Sequence, residues 1–134
     1  MKTQTILYWC ARIIAALIMF QTLFFKFSGA EESVKIFSQL NAEAWGRIGS
    51  GVLELISSIL ILIPTTVWLG SALAIGLMGG AIVSHIAVIG VLRDDGGQLF
   101  FYAVVVFICA LYSFWKSKQQ VPDLLRRHLP SFLQ

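Results

Sequence analysis

The chain has 134 residues, of which 57% are hydrophobic and 13% are charged, whereas an average soluble domain carries about 25% charged residues. A mean hydropathy of +0.81 is typical of an integral membrane protein, and four crossings of about 20 residues fill the length without a separate soluble domain. The formal charge of +3 does not indicate a nucleic-acid partner, because no basic stretch is interleaved with exposed aromatic residues.

The first predicted crossing covers residues 6–27. One of its faces repeats at helical spacing and consists of Arg12, Ala15, Ala16, Met19, Leu23 and Lys26. We expect this face of the helix to be buried in the interior of the bundle. The guanidinium of Arg12 is expected to extend to the cytoplasmic interface, because long cationic side chains reach for water from within a membrane.

The polar connection in residues 28–46 allows two interpretations. A short amphipathic helix at the membrane interface can use Trp45 as an anchor at headgroup depth. A solvated loop accounts for the same residues equally well.

The second predicted crossing, residues 47–63, contains a carboxylate, Glu54, about two turns from its start. One stripe collects its small and polar residues, which are Arg47, Ser50, Gly51, Glu54, Ser57 and Ser58. A carboxylate in hydrocarbon must be paired, protonated or put to use, so Glu54 is the sharpest indication of function in the sequence. Pro64 then ends the helix, which makes the second and third crossings antiparallel neighbours.

The third predicted crossing, residues 67–92, carries a small residue at every fourth position. These residues form a ridge for close helix packing, which we call the small-residue ridge: Ala72, Gly76, Gly80 and Ser84. Another helix of the same bundle, or of another chain, can approach such a ridge closely. His85 lies just beside it.

The fourth predicted crossing, residues 99–115, follows a tight turn at Asp95-Gly96-Gly97 and carries Tyr102 on its more polar stripe. Residues 1–120 are therefore predicted to form an all-α, polytopic membrane four-helix bundle with a short interfacial helix. The basic, amphipathic tail, residues 121–134, is expected to lie on the anionic cytoplasmic leaflet. Because cations collect on the side that holds both chain ends, both termini are predicted to be cytoplasmic.

Four polar residues from four crossings are expected at similar depths in the outer half of the bundle: Lys26, Glu54, His85 and Tyr102. One interpretation is a functional cluster that binds a ligand or relays protons. The other is an ion pair between Lys26 and Glu54 that fixes the helix register, with His85 hydrogen-bonded to it. No intrinsic cofactor or metal is predicted, because a bis-histidine haem lacks a second ligand and Glu54 with His85 is too small a metal set.

Four short motifs follow one another in the chain: Phe25-Lys26-Phe27-Ser28-Gly29, Gly51-Val52-Leu53-Glu54-Leu55, a glycine-rich run from Gly76 to Gly80 that leads to His85, and Asp95-Gly96-Gly97. In order and spacing they resemble the DoxX-like family of small bacterial four-helix membrane proteins, over about residues 6–120. The resemblance implies a protein of the bacterial inner membrane. Some relatives are linked to membrane oxidoreductase complexes, including a thiosulfate:quinone oxidoreductase, and distant relatives look like assembly chaperones.

The first functional hypothesis is a small membrane subunit that binds a quinone or a similar apolar redox ligand through the four polar residues and works with a partner oxidoreductase. The alternative is a non-catalytic assembly or interaction protein, in which the Gly76 and Gly80 ridge docks another chain or a second copy. A small-solute or proton carrier that uses Glu54 is a third hypothesis. In each case, membrane lipid surrounds the apolar helices.

Overall fold

The computed structural model describes residues 3–89 and 98–118, and within these ranges the chain is almost entirely helical. The helices are α1 (Thr3–Phe27), α2 (Glu31–Gln39), α3 (Trp45–Leu62), α4 (Val67–Ser84) and α5 (Gln98–Ser117), and a π-helical turn at His85–Ile89 continues α4. Four segments are long and apolar enough to cross a membrane: Thr3–Phe27, Trp45–Leu62, Val67–Ala87 and Phe100–Ser117. The prediction of an all-α, polytopic membrane bundle is confirmed.

The four long helices form a ring in which α1 and α4 each pack against both α3 and α5. The short helix α2 rests on α1, α3 and the π-helical turn, and it occupies the end of the bundle opposite the Pro64 turn. We call these two ends the α2 end and the Pro64 end. The core that the ring encloses is apolar and includes Ala15, Met19, Ile61, Ala74, Met78, Ala103 and Val106.

The inward faces of α1 and α3 agree with the predicted ones. The buried residues of α1 are Arg12, Ala15, Ala16, Met19 and Leu23. Those of α3 are Arg47, Gly51, Glu54, Ser57, Ser58 and Ile61. Large apolar side chains such as Leu17 and Phe24 are exposed, as expected where hydrocarbon, rather than water, surrounds the protein.

The closest approach between α3 and α4 occurs at Gly70. A Cβ atom added to Gly70 would lie 2.4 Å from the backbone nitrogen of Ile61, so this position has no room for a side chain. The hydroxyl of Ser57 donates to the carbonyl oxygen of Gly70 at 2.8 Å. A small residue therefore brings the backbones of α3 and α4 together, but it is not a member of the predicted small-residue ridge.

The small-residue ridge does not make this contact. Gly76 and Gly80 are exposed, and no atom lies within 4 Å of a Cβ atom built on either. The face of α4 that enters the core consists of Val67, Gly70, Ser71, Ala74 and Met78. Because α4 is apolar on nearly every side, polarity could not distinguish its inward face from its lipid face.

The guanidinium of Arg12 lies at the Pro64 end of the bundle, on the side predicted to be cytoplasmic, but it is buried and bonded to backbone and does not reach water. Its side chain is 1% exposed, and its guanidinium donates to the carbonyl oxygens of Ile61 and Leu62 at 2.8 and 2.9 Å. These carbonyls belong to the last turn of α3 and have no partner within their own helix. Arg12 therefore caps the carboxyl end of α3.

Two predicted features fall on parts of the chain that the structure does not describe. The turn at Asp95-Gly96-Gly97 and the end of the third predicted crossing, which was placed at residue 92, lie within residues 90–97. The predicted tail at residues 121–134 lies beyond residue 118. The segment between the first two crossings, for which two interpretations were open, contains the helix α2.

Candidate ligand-binding site

The centre of the site is an ion pair between α1 and α3. Lys26 Nζ lies 2.6 Å from Glu54 Oε1, and the two side chains are 16% and 4% exposed. Lys26 comes from the last turn of α1, and Glu54 lies on the inward stripe of α3. In a helix the side chains lean toward the amino terminus, so the two antiparallel helices tilt these side chains toward each other.

Thr22 adds a hydroxyl to this pair. Its Oγ1 lies 3.3 Å from Glu54 Oε2 and 2.9 Å from the carbonyl oxygen of Met19. A hydroxyl carries a single proton, so it serves these two acceptors one at a time. When Thr22 donates to Glu54, both carboxylate oxygens are engaged by α1.

Arg47 holds the same corner of the bundle from the other side of the pair. Its Nη1 donates to the carbonyl oxygen of Lys26, and its Nη2 lies 2.8 Å from Glu43 Oε1. The backbone next to the Lys26 side chain is thereby tied to the start of α3. Such a rigid frame favours a fixed position for the ammonium group.

A cavity of about 440 Å³ lies against this polar corner, toward the α2 end of the bundle. All five helices and His85 contribute to its wall. Most of the wall is apolar, with Ile18, Phe25, Ile36, Phe37, Leu77, Met78, Ala103 and Val106 among its residues. The exposed residues Gln21 and Gly80 also line it, so the cavity reaches the surface of the bundle.

His85 occupies the first position of the π-helical turn and is 6% exposed. Its Nδ1 lies 2.8 Å from the carbonyl oxygen of Ala81, and its ring stands 5.9 Å from that of Phe100, centroid to centroid. Its Nε2 is buried and has no hydrogen-bond partner in the described part of the chain. Short π-helical turns are frequent at functional sites in helical proteins.

All four residues of the predicted cluster line this cavity: Lys26, Glu54, His85 and Tyr102. Lys26 and Glu54 are in direct contact, whereas Nδ1 of His85 is turned to the backbone of its own helix. The purely structural interpretation predicted a hydrogen bond from His85 to the ion pair. The structure does not contain it, since the ring is held instead by the carbonyl oxygen of Ala81.

Two members of the small-residue ridge, Gly80 and Ser84, also line the cavity. Within residues 3–89 and 98–118, no group of three or more His, Cys, Asp or Glu side chains is arranged to hold a metal ion. The wall of this largely apolar chamber offers an ammonium donor and a carboxylate acceptor in contact with each other, together with an imidazole.

Comparison with known protein families finds a match that covers most of the chain. A family model described as the DoxX-like family aligns with residues 10–113. The chain belongs to the DoxX-like family. The region that matches the DoxX-like model contains all four residues of the polar cluster. No curated protein and no solved structure matches the chain.

Sequence reasoning missed Thr22 and most of the contribution of α2. Thr22 precedes Lys26 by four residues, and this spacing places both side chains on one face of α1. That signal was available in the sequence. Phe37 of α2 and Leu40, which directly follows α2, line the cavity, and only the position of α2 over the bundle could reveal this role.

Proposed function

We propose that this protein of the DoxX-like family binds a quinone or a similar membrane-soluble redox ligand in the cavity and acts with a partner oxidoreductase. The observation that carries the proposal is the cavity of about 440 Å³ with charged groups along one side. Pockets for small ligands commonly measure about 300–1,000 Å³ and combine apolar walls with a few fixed polar groups. A tightly packed bundle, by contrast, could not admit a ring.

The polar groups suit a ring that carries oxygen atoms. The ammonium of Lys26 has three N–H groups, and its contact with Glu54 leaves others to donate to a ligand oxygen. Glu54 can accept a proton or a hydrogen bond, as intramembrane carboxylates do in proton relays. Phe25 and Phe37 in the wall offer ring faces against which a planar ligand can stack.

Membrane placement follows the charge distribution and the family resemblance. We place the protein in a bacterial inner membrane with both termini in the cytoplasm, so that the cavity opens in the outer half of the bilayer. A ligand dissolved in the lipid then reaches the cavity from the side. The link of some relatives to membrane oxidoreductases supports a redox partner.

The test is direct binding of decylubiquinone, a quinone with a short tail, to the purified protein in detergent. We expect saturable binding of decylubiquinone. Glu54→Gln should weaken it at least tenfold, because a neutral amide no longer holds the ammonium of Lys26 in a fixed position for the ligand. Glu31→Gln is the matched control, since Glu31 is exposed and is not among the residues that line the cavity. The absence of saturable binding, or equal affinity in all three proteins, would refute the proposal.

The second candidate function is an assembly or interaction protein. The exposed positions of Gly76 and Gly80, with open space where a Cβ atom would be, favour it, because another chain can pack on such a surface. It requires an oligomer or a complex that dissociates in Gly76→Leu, at a position outside the cavity wall, and persists in Glu54→Gln. Native mass spectrometry from mild detergent distinguishes the two functions, since it records ligand, partner and copy number together.

A further inference from the structure

The hydrogen bond of His85 to its own helix decides which kind of group its other nitrogen can bind. The carbonyl oxygen of Ala81 can only accept, so Nδ1, at 2.8 Å, must carry the proton. In a neutral imidazole the second nitrogen is then unprotonated and acts as an acceptor. Nε2 of His85 therefore offers a lone pair and requires a donor.

No donor from the described part of the chain satisfies this lone pair. Nε2 is buried, with less than 1 Å² of exposed surface, and has no hydrogen-bond partner there. A buried acceptor without a hydrogen-bond partner destabilises the state in which it stays unsatisfied. His85 lines the cavity, so a ligand gains binding energy when the side chains that cover Nε2 shift and its donor reaches the lone pair.

We propose that the cavity selects the hydroxyl-bearing form of its ligand, a phenol or hydroquinone, whose O–H donates to Nε2 of His85. The inference rests on the proposed function, because it names the chemical form that the same cavity takes. A quinone carbonyl, which can only accept, makes no hydrogen bond with Nε2. A phenolic O–H is also a stronger donor than an aliphatic alcohol, and its ring suits the apolar wall.

A site that forms a hydrogen bond with one ligand discriminates against a ligand that lacks the donor, because that ligand leaves a buried group of the protein unpaired. For one neutral hydrogen bond we expect a preference of about fivefold to tenfold. Applied to a quinone couple, a tenfold tighter binding of the hydroquinone raises the two-electron potential of the bound couple by about 30 mV.

The experiment compares 4-nonylphenol with 4-nonylanisole, its methyl ether, which keeps the ring, the tail and the oxygen but lacks the O–H. In the wild-type protein we expect the phenol to bind at least fivefold more tightly. His85→Leu removes the acceptor and should abolish the difference, whereas His85→Gln, which retains an acceptor oxygen, should keep part of it.

The outcomes separate this inference from the proposed function. Saturable binding of both probes with equal affinity, or tighter binding of the ether, overturns the preference and leaves a ring-binding cavity. A preference for the phenol that persists in His85→Leu also overturns the inference, because the phenolic O–H then donates to a group other than His85. Failure of both probes to bind overturns the inference, while the proposed function is decided separately by the binding of decylubiquinone.

A measurement on the unaltered ring keeps the test independent of how the His85 variants fold. The chain has two histidines, so His128→Gln leaves His85 as the one source of imidazole nitrogen signals. The ¹⁵N resonance of Nε2 should show an unprotonated nitrogen and shift on addition of the phenol but not of the ether. A protonated Nε2 before ligand is added contradicts the proposal.

Discussion

Arg12 and Arg47 each cap the carboxyl end of the other's helix. Arg12 on α1 donates to the carbonyl oxygens of Ile61 and Leu62 in the last turn of α3. Arg47 on α3 donates to the carbonyl oxygen of Lys26 in the last turn of α1. The negative end of each helix dipole is thus met by a cation from its antiparallel neighbour, and the axial register of the two helices is fixed at both ends.

The first prediction concerns these two caps. Arg12→Met should lower the free energy of unfolding by about 3 kcal/mol, because two carbonyl oxygens lose charge-assisted hydrogen bonds in a region without water. Arg12→Lys, which keeps the charge but not the fork of donors, should cost about half as much. Reversible unfolding in mixed detergent micelles measures both.

A combined variant tests whether the two caps act independently. Lys26 follows Arg12 by 14 positions in α1, which places the caps about 20 Å apart along the helix. The effects of Arg12→Met and Arg47→Met should therefore add to within about 0.5 kcal/mol. A larger departure from additivity would contradict the assignment of the two arginines to separate ends.

The second prediction concerns the ion pair between Lys26 and Glu54. Glu54→Leu alone should destabilise the protein by about 2–3 kcal/mol, because it leaves a largely buried ammonium without its counter-charge. Lys26→Met combined with Glu54→Leu should recover at least half of this loss. If the double variant is no more stable than Glu54→Leu, charge pairing does not determine the stability of this corner.

The third prediction compares two glycines of α4. Gly70→Ala should cost about 2 kcal/mol, because its Cβ atom would lie 2.4 Å from the backbone nitrogen of Ile61 and must push the helices apart. Gly76→Ala is the matched control in the same helix. Its Cβ atom meets nothing within 4 Å, so stability should be unchanged or rise by up to about 1 kcal/mol. Equal effects of the two changes would contradict the packing described.

The fourth prediction concerns the entry to α2. Gly29 joins α1 to α2 with φ at +70°, a conformation that costs other residues about 1 kcal/mol. Gly29→Ala should lower the free energy of unfolding by that amount. Gly49→Ala, at an exposed helical position with no atom within 4 Å of the new Cβ, should not. A loss of stability of the same size in both would show that the effect is not due to backbone conformation.

Much of the fold could be predicted because two helices carry clear polar stripes. On α1 and α3, the charged and small residues occupy one face, and the structure buries those faces. The lean of side chains in antiparallel helices was enough to predict contact between Lys26 and Glu54, and the two lie 2.6 Å apart. Periodicity of this kind requires polar residues to mark it.

Features of α4 and of the helix ends were less accessible to sequence reasoning. The ridge from Ala72 to Ser84 was chosen for its regular spacing, yet Gly70 makes the close contact because the backbone of Ile61 passes there. Arg12 was expected to extend its guanidinium to water at the interface, because the sequence does not show that the last carbonyl groups of α3 lie within its reach. In both cases the deciding partner belongs to another helix, and a single sequence does not reveal that distance.

Two pairs of helices in the bundle are held together by different kinds of contact. The contacts of α1 with α3 are directional, with hydrogen bonds and charges at Arg12, Lys26 and Arg47, whereas α4 and α5 meet largely through apolar side chains such as Ala74, Met78 and Val106. The cavity borders both pairs. Substitutions among its apolar lining residues on α4 and α5 can therefore enlarge or narrow the chamber without breaking a hydrogen bond of the α1 and α3 frame. In evolution, the size of this chamber is free to change faster than the polar groups that line it.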